Sequence, residues 1–322
     1  MNQIPILGRA LRKRALITEI KRKLELEFNA SAPSDPEAAL ELLNKEAQAI
    51  ADAPVFGVPG TVRLVQPQPD PQPVATSKES DVEFLRQVSP IRVVCAAICP
   101  SVVSVFKSLK LQFPADIELQ IDFTPENSGE ITKRYESERW HFCAMSRLAI
   151  VATNGSIDRM LLQVAPLFSV SQYMLCRPIW RRKDKARCVL MIRDSPSEAQ
   201  FWAQESKHLG AKPDYVRQTE IIGSAEGLKD DEYLIIWEPA ASWIAKEYDL
   251  ELLKDTEFKF LISLLVNAEW ANHHGDQIRA FYRMFRQQWD AGGQNRDKML
   301  RLLTRDSDYL NAFASSVGMP SI

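Results

Sequence analysis

Four polar turns in this chain have the composition of ligand-contacting turns: Cys99-Pro100-Ser101, Asn127-Ser128-Gly129, Asp194-Ser195-Pro196-Ser197 and Trp237-Glu238-Pro239-Ala240. Each follows a short apolar run and precedes a stretch with helical patterning, so each presents hydroxyl, carboxylate or backbone N–H groups at a helix start. Such a start suits an anion or another polar ligand, because the first N–H groups of a helix have no partner within it. Taken singly, a Ser or Asp in this position reads as a helix cap. Taken together, the four turns fall at the carboxyl ends of strands, which is where open α/β sheets bind ligands. Glu238 follows "YLIIW" at a strand end, where a carboxylate would accept hydrogen bonds from a cationic or amine-bearing ligand.

The elements that must position these turns begin at Ile91. "IRVVCAA" reads as a strand, "SVVSVFKSLKLQF" as a helix, "IELQIDF" as a strand, "GEITKRYESERW" as a helix and "HFCAMSRLAIVA" as an apolar, extended stretch. Strands alternating with helices imply parallel pairing through right-handed crossovers. "APLFSVSQYMLCRP" supplies two strand-like stretches leading out of this unit. "CVLMIRDSPSEAQFWAQESKHLG" and "EYLIIWEPAASWIAKEYDL" then repeat strand, polar turn and helix. From "EFKFLISLLVNAEWANHH" onward the chain is expected to be mostly helical, with Ile278, Phe281, Tyr282 and Phe285 on one face. Clefts between two such units are favoured ligand sites.

Ahead of this lies a different region. "RALRKRALITEIKRKLELEF" carries Leu16, Ile20 and Leu24 at i, i+4 spacing and predicts an amphipathic helix. "SDPEAALELLNKEAQAIAD" predicts a second helix, capped by Ser34 with Pro36 and Glu37 in its first turn. Together they are expected to form a hairpin over residues 1–65. Residues 66–89 form a linker whose alternating Pro67, Pro69, Pro71 and Pro73 favour an extended spacer, and 90–322 form the α/β domain. Residues 1–24 hold Arg9, Arg12, Lys13, Arg14, Lys21, Arg22 and Lys23 against Glu19 alone, which reads first as a solvated helix face and second as a surface for nucleic acid or membrane.

The net charge of −2 gives no whole-molecule attraction to polyanions. No run approaches the ~18 apolar residues of a membrane span, and Met1 to Leu7 do not open a secretion signal, so the expectation is a cytoplasmic protein. The five cysteines, Cys95, Cys99, Cys143, Cys176 and Cys188, lie mostly in apolar stretches, as buried thiols do. No phosphate-binding loop, dinucleotide fingerprint, zinc-protease motif or nucleophile elbow is present. His273 and His274 are adjacent and diverge on a helix, and His208 sits near a helix end, so no metal or cofactor is expected.

The order "IRVVCAA", "FPADIELQIDFTPENSGEITKRYESERWHFCAMS", "ATNG" and "LFSVSQYML" resembles lobe one of the type II periplasmic-binding-protein fold, in its nitrate, sulfonate and thiamine-precursor branch. "CVLMIRDSPSEAQFWAQESKHLGAKPDYV", "YLIIWEPAASWIAKEYDL" and "LISLLVNAEWANHHGDQIRAFYRMFRQQW" resemble its second lobe and closing helices. The resemblance covers about residues 90 to 300. It implies an α/β, two-lobed domain that clamps a small molecule by hinge closure. Ligand contacts would fall on Ser101, Asn127, Ser128, Ser146, Ser195, Ser197 and Glu238, with Trp237 beside the last and Ala152 to Thr153 near the first crossover. Where the family turns with Gly-x-Asp, this chain has Glu138-Arg139-Trp140-His141, which implies an altered cleft entrance. Of the Cys/His run used by the family's pyrimidine-making relative, "HFCAMS" keeps His141 and Cys143 alone.

The leading expectation is a non-catalytic small-ligand-binding or scaffold protein. It would engage a partner protein through Arg12, Arg14, Leu16, Ile20 and Leu24 of its N-terminal helices, as part of a bacterial signalling or defence assembly. Two alternatives stay open: a ligand-responsive nucleic-acid-binding regulator resembling the effector half of LysR-type regulators, and an enzyme built on the same cleft.

Overall fold

The computed structural model describes residues 4–30, 37–38, 41–42, 78–125, 128–146, 161–178, 186–193, 195–204 and 210–319. Ser34, Pro36, most of the second hairpin helix, the proline spacer, Asn127, Ala152 to Thr153, Asp194 and His208 lie outside the described residues.

A long helix, α1 (Ile4–Asn29), is followed by α2 (Lys78–Arg86), β1 (Ile91–Ala96), α3 (Pro100–Lys110), β2 (Leu119–Thr124), α4 (Ser128–Glu138) and β3 (Phe142–Ser146). Then come β4 (Leu161–Cys176), β5 (Cys188–Ile192), α5 (Pro196–Ala203), β6 (Lys212–Val216), α6 (Ile221–Glu226), β7 (Glu232–Trp237) and α7 (Ala240–Glu247). The chain closes with β8 (Glu251–Asn267), α8 (Ala268–Ala271), α9 (Gly275–Gln294), α10 (Arg296–Thr304) and α11 (Ser307–Ser316).

All eight strands among the described residues join one sheet in the order β2-β1-β3-β8-β4-β7-β5-β6. β1 pairs in parallel with β2 and β3, and β5 in parallel with β6 and β7, as the strand-helix alternation requires. β1 has five of its six residues buried, the mark of a strand covered on both faces. Between the two parallel groups run the two longest strands, β4 and β8, antiparallel to each other. The far end of β8 pairs with β3 in lobe one, and the far end of β4 pairs with β7 in lobe two. Register shifts between Gln163 and Ala165, Pro166 and Phe168, and Gln172 and Met174 bend this ribbon as it passes from one lobe to the other.

Three expectations are corrected here. Lys78–Arg86, expected within the extended linker 66–89, is the helix α2, which packs on α9 and whose Asp81 accepts from Arg283 at 3.0 Å. "EFKFLISLLVN", expected to be helical, is the body of the 17-residue strand β8. Its seven consecutive buried residues, Phe260 to Val266, show no helical stripe because the strand is covered on both faces. The two strand-like stretches of "APLFSVSQYMLC" are one strand, continued through its irregularities by pairing with β8.

Lobe one has a large core in which Val102, Phe106, Phe142, Phe281 and Phe285 pack together, Phe142 stacking on Phe281 at 4.0 Å between ring centroids. The face of α9 expected from its spacing is present, with Phe281 and Phe285 buried and Ile278 and Tyr282 half-buried. α11 ties back to lobe one: its capping Asp306 accepts from the Tyr309 N–H at 2.9 Å, and the Tyr309 hydroxyl donates to the Ala97 carbonyl at 3.0 Å. Lobe two has its own smaller core around Leu190, Ile192, Leu234, Ile236 and Ile244.

Trp140 does not stand at a cleft entrance. It precedes the amino end of β3, at the opposite end of the parallel strands from the polar turns. It is fully buried, its Nε1 donating to Asp122 at 2.5 Å and its ring 6.0 Å from that of Tyr135. Just before it, Arg139 takes φ 51°, the left-handed conformation that ends α4. A side chain in that region costs about 1–2 kcal/mol, against roughly 0.5–1 kcal/mol of extra chain entropy for glycine. Arg139→Gly is therefore expected to stabilise the protein by about 0.5–1 kcal/mol, read as a higher urea midpoint with an unchanged slope. A lower midpoint would show that the Arg139 side chain holds more than the turn costs.

Candidate functional site

α3 opens at the carboxyl end of β1 without a side-chain cap: Cys99 precedes it and Pro100 fills its first turn. The free donors there go to another part of the chain. Glu27, near the end of α1, accepts the Ser101 N–H at 2.8 Å and the Ser101 hydroxyl with the same carboxylate oxygen. An acid in this position satisfies orphan donors and lies at the positive end of the α3 dipole. The chain's own carboxyl group thus takes the free donors at the start of α3.

α1 reaches this place through its sequence pattern. Leu16, Ile20 and Leu24 are each 0% exposed and belong to the lobe-one core, packing in the same cluster as Phe106 and Phe285. They are therefore spent within the chain rather than offered to a partner, while Arg12 and Arg14 stay exposed. Nor does α1 stand apart from the α/β body, since it packs on α3, α9 and α10. Beside the apolar row runs a second one at the same spacing, Glu19, Lys23 and Glu27, and all three are buried.

At one end of that row, Glu19 accepts two hydrogen bonds from Arg22, each at 3.1 Å. Arg22 in turn donates to the Pro239 carbonyl in the turn after β7. α1 thus touches the β1–α3 turn of lobe one with Glu27 and the β7–α7 turn of lobe two with Arg22. Near Glu19 remains an apolar cavity of about 10 Å³, walled by Ile98, Ile236, Trp237, Ala240 and Val317. That is about the space of one water.

Lys23 occupies the middle of the row. Its amine is fully buried, has no hydrogen-bond partner and lies 5.1 Å from the centre of the Phe313 ring. Burial lowers its pKa, opposed by Glu19, Glu27 and Cys99. Burial also pushes the Glu27 carboxyl up to about 7, against the pull of the Ser101 hydrogen bonds and Lys23. The Cys95, Cys99 and Cys143 thiols are raised by burial too, so they hold their protons.

Of the turn residues singled out in sequence, Ser101 and Trp237 lie against this row. Ser195 caps α5, accepting the Ser197 N–H at 3.2 Å and donating to the Ile192 carbonyl at 2.6 Å. Ser197 takes the Ile192 N–H at 3.0 Å. Glu238 accepts from the Ser242 N–H at 3.2 Å and from the Ser242 hydroxyl, so it is engaged at the start of α7. Ser146 is buried at the end of β3, opposite Ile262 of β8. Ser128 begins α4, and its side chain is outside the described residues. His141 accepts the Arg92 N–H on Nδ1 at 3.1 Å, and its ring stacks on Trp270. Among the described residues no three His, Cys, Asp or Glu gather to hold a metal, and no helix is long and apolar enough to cross a membrane.

Glu27, Lys23, Arg22 and Glu19 were missed as site residues. Their signal was in the sequence: three ionisable residues at i, i+4 and i+8, next to an apolar row of the same period.

The pair gives stability a distinctive pH dependence. A carboxyl raised from 4.5 to about 7 by folding makes the native state the better proton binder between those values, so its contribution falls as pH rises through that window. A lowered lysine does the reverse, and its contribution rises with pH up to the ordinary value of 10.5. Urea titrations from pH 5 to 10 should show that Glu27→Gln removes the loss on the acid side, while Lys23→Met removes the gain on the alkaline side. Lys23→Met should also raise stability at pH 7 by about 1–3 kcal/mol, since a buried unpaired amine gives way to an apolar chain of similar length. Parallel curves for wild type and Glu27→Gln would show that this carboxyl titrates normally.

No known protein family and no curated protein matches the chain. Solved structures do. The alkanesulfonate-binding protein from Xanthomonas axonopodis pv. citri, bound to MOPS, aligns over 72% of this chain and 84% of its own with a TM-score of 0.52 at 14% identity. The periplasmic aliphatic sulphonate-binding protein from Escherichia coli aligns over 72% and 79% with a TM-score of 0.49 at 13% identity. The regulatory domain of HypT from Salmonella typhimurium, bound to bromide, aligns over 62% and 95% with a TM-score of 0.42 at 10% identity. The chain has the type II periplasmic-binding-protein-like fold, and at these identities the likeness establishes the fold alone.

Proposed function

We propose that this is a non-catalytic binding protein whose inter-lobe cleft receives a small acid, a carboxylate or sulfonate, at the start of α3. The observation that carries this reading is the Glu27 carboxylate on the Ser101 N–H and hydroxyl. An acid already sits on those donors, at the carboxyl end of a strand in a fold built to close over ligands. The alkanesulfonate binding of the Xanthomonas axonopodis pv. citri protein, which shares this fold, is consistent with that chemistry. A non-catalytic role fits the raised thiols and the engagement of His141 Nδ1 as an acceptor.

One observation favours a second role for the exposed end of α1, where Arg12, Lys13 and Arg14 are all solvent-facing. Contact with a nucleic acid or an acidic protein partner is the matching reading, and filter binding with a salt-dependent affinity would support the nucleic acid.

Removing the internal acid tests the main reading. Glu27→Ala is expected to gain a thermal shift of several degrees with millimolar carboxylates or sulfonates, because a ligand at about 100 times its Kd adds roughly 2.7 kcal/mol. Glu27→Ala combined with Ser101→Ala should lose most of that shift. If Glu27→Ala folds and no acid in the panel moves its melting point, the start of α3 is not a ligand site.

A further inference from the structure

We propose that α1 is a displaceable occupant of its own cleft: a free carboxylate or sulfonate that takes the place of Glu27 on Ser101 releases the helix from both lobes. The inference rests on the acid-binding reading of the α3 start and adds how that site is regulated.

Four observations carry it. First, Glu27 uses the same two donors that a free acid would need, so the two cannot be bound together. Second, the fit is built rather than incidental. Phe28 lies so close to Gly292 of α9 that a Cβ there would meet its ring at 2.6 Å, and the same ring packs on Trp289 at 5.1 Å. Third, the helix is held at a cost. Lys23 is buried without a hydrogen-bond partner between Glu27, Cys99 and the Phe313 ring, and Glu27 is itself desolvated. A helix meant to stay would do better with apolar residues at both positions. Fourth, α1 contributes no strand to the sheet, so it can leave its seat while the strands keep their pairing.

Release has a definite consequence for the lobes. Glu27 to Ser101 and Arg22 to Pro239 are links from one rigid helix to the turns of two different lobes. While docked, α1 acts as a bolt between them, in the way a bound ligand holds a two-lobed protein closed. Once released, it frees the hinge formed by β4 and β8 and uncovers Leu16, Ile20 and Leu24, which are hidden in the docked state.

Hydrogen exchange on the full chain, with sodium methanesulfonate as probe and sodium chloride at matched ionic strength as control, tests this directly. Methanesulfonate should speed exchange across residues 12–28 at least tenfold while slowing it across 99–105. Gly292→Val crowds Phe28 without touching Ser101, so it should loosen residues 12–28 without any probe and tighten the apparent affinity for methanesulfonate at least tenfold. Glu27→Ala should tighten it likewise, and it serves where Gly292→Val does not fold.

If methanesulfonate slows 99–105 while 12–28 stay as protected as before, the acid binds beside a fixed helix. Displacement is then wrong, although the acid site stands. If neither wild type nor the loosened variants show any slowing at 99–105, the acid site itself fails and displacement with it.

Discussion

The pairing of β4 with β8 governs the rest of the architecture. Each strand is long enough to serve both lobes: β8 gives one end to β3, β4 gives one end to β7, and their shared irregularities let the ribbon bend between. Because the parallel groups around β1 and β5 hang on the same ribbon, the carboxyl ends of both are brought toward a common space. The start of α3 and the turn after β7 owe their nearness to this ribbon, since they are far apart in sequence. Any opening of the cleft has to be taken up by these two strands, whose bulged positions depart most from regular pairing.

Into that space the chain inserts α1, and its chemistry is unusual for a core element. A row of leucine and isoleucine anchors it to lobe one, while the adjacent row of Glu19, Lys23 and Glu27 carries ionisable groups into the interior. Apolar burial contributes roughly 1.5–3 kcal/mol for each large side chain, and buried ionisable groups without full partnership take some of that back. Glu19 and Glu27 recover part of the loss through Arg22 and Ser101, and Lys23 finds no hydrogen bond. The helix is thus docked by its apolar row, while its ionisable row holds it less firmly than apolar side chains would.

Most of the elements were legible in the sequence where local pattern and final environment agree. β1, β2, β5 and β7 follow from short β-branched or apolar runs, and α5 and α7 from the polar turns before them. β8 was not legible, because an apolar run covered on both faces has no period to betray a strand. The burial of Trp140 was not legible in the turn that carries it, because it depends on Asp122 and Tyr135 arriving from other elements. The serines of α5 and the carboxylate of Glu238 were expected to contact a ligand, and in the fold they make hydrogen bonds within their own turns.

By itself the sequence determined the strands β1, β2, β5 and β7, the helices α3, α4, α5 and α7 that follow them, and the amphipathic face of α1, because each is written in residues close together along the chain. Tertiary structure decided what that face meets and which acid reaches the start of α3. Leu16, Ile20 and Leu24 could have served a partner as well as a core, and the choice was made by Phe106, Phe285 and the space beside Gly292, all distant in sequence. Glu27 and Ser101 stand 74 positions apart, and nothing near either one specifies the other. Their meeting follows from how the lobes and α1 pack, which is a property of the whole fold.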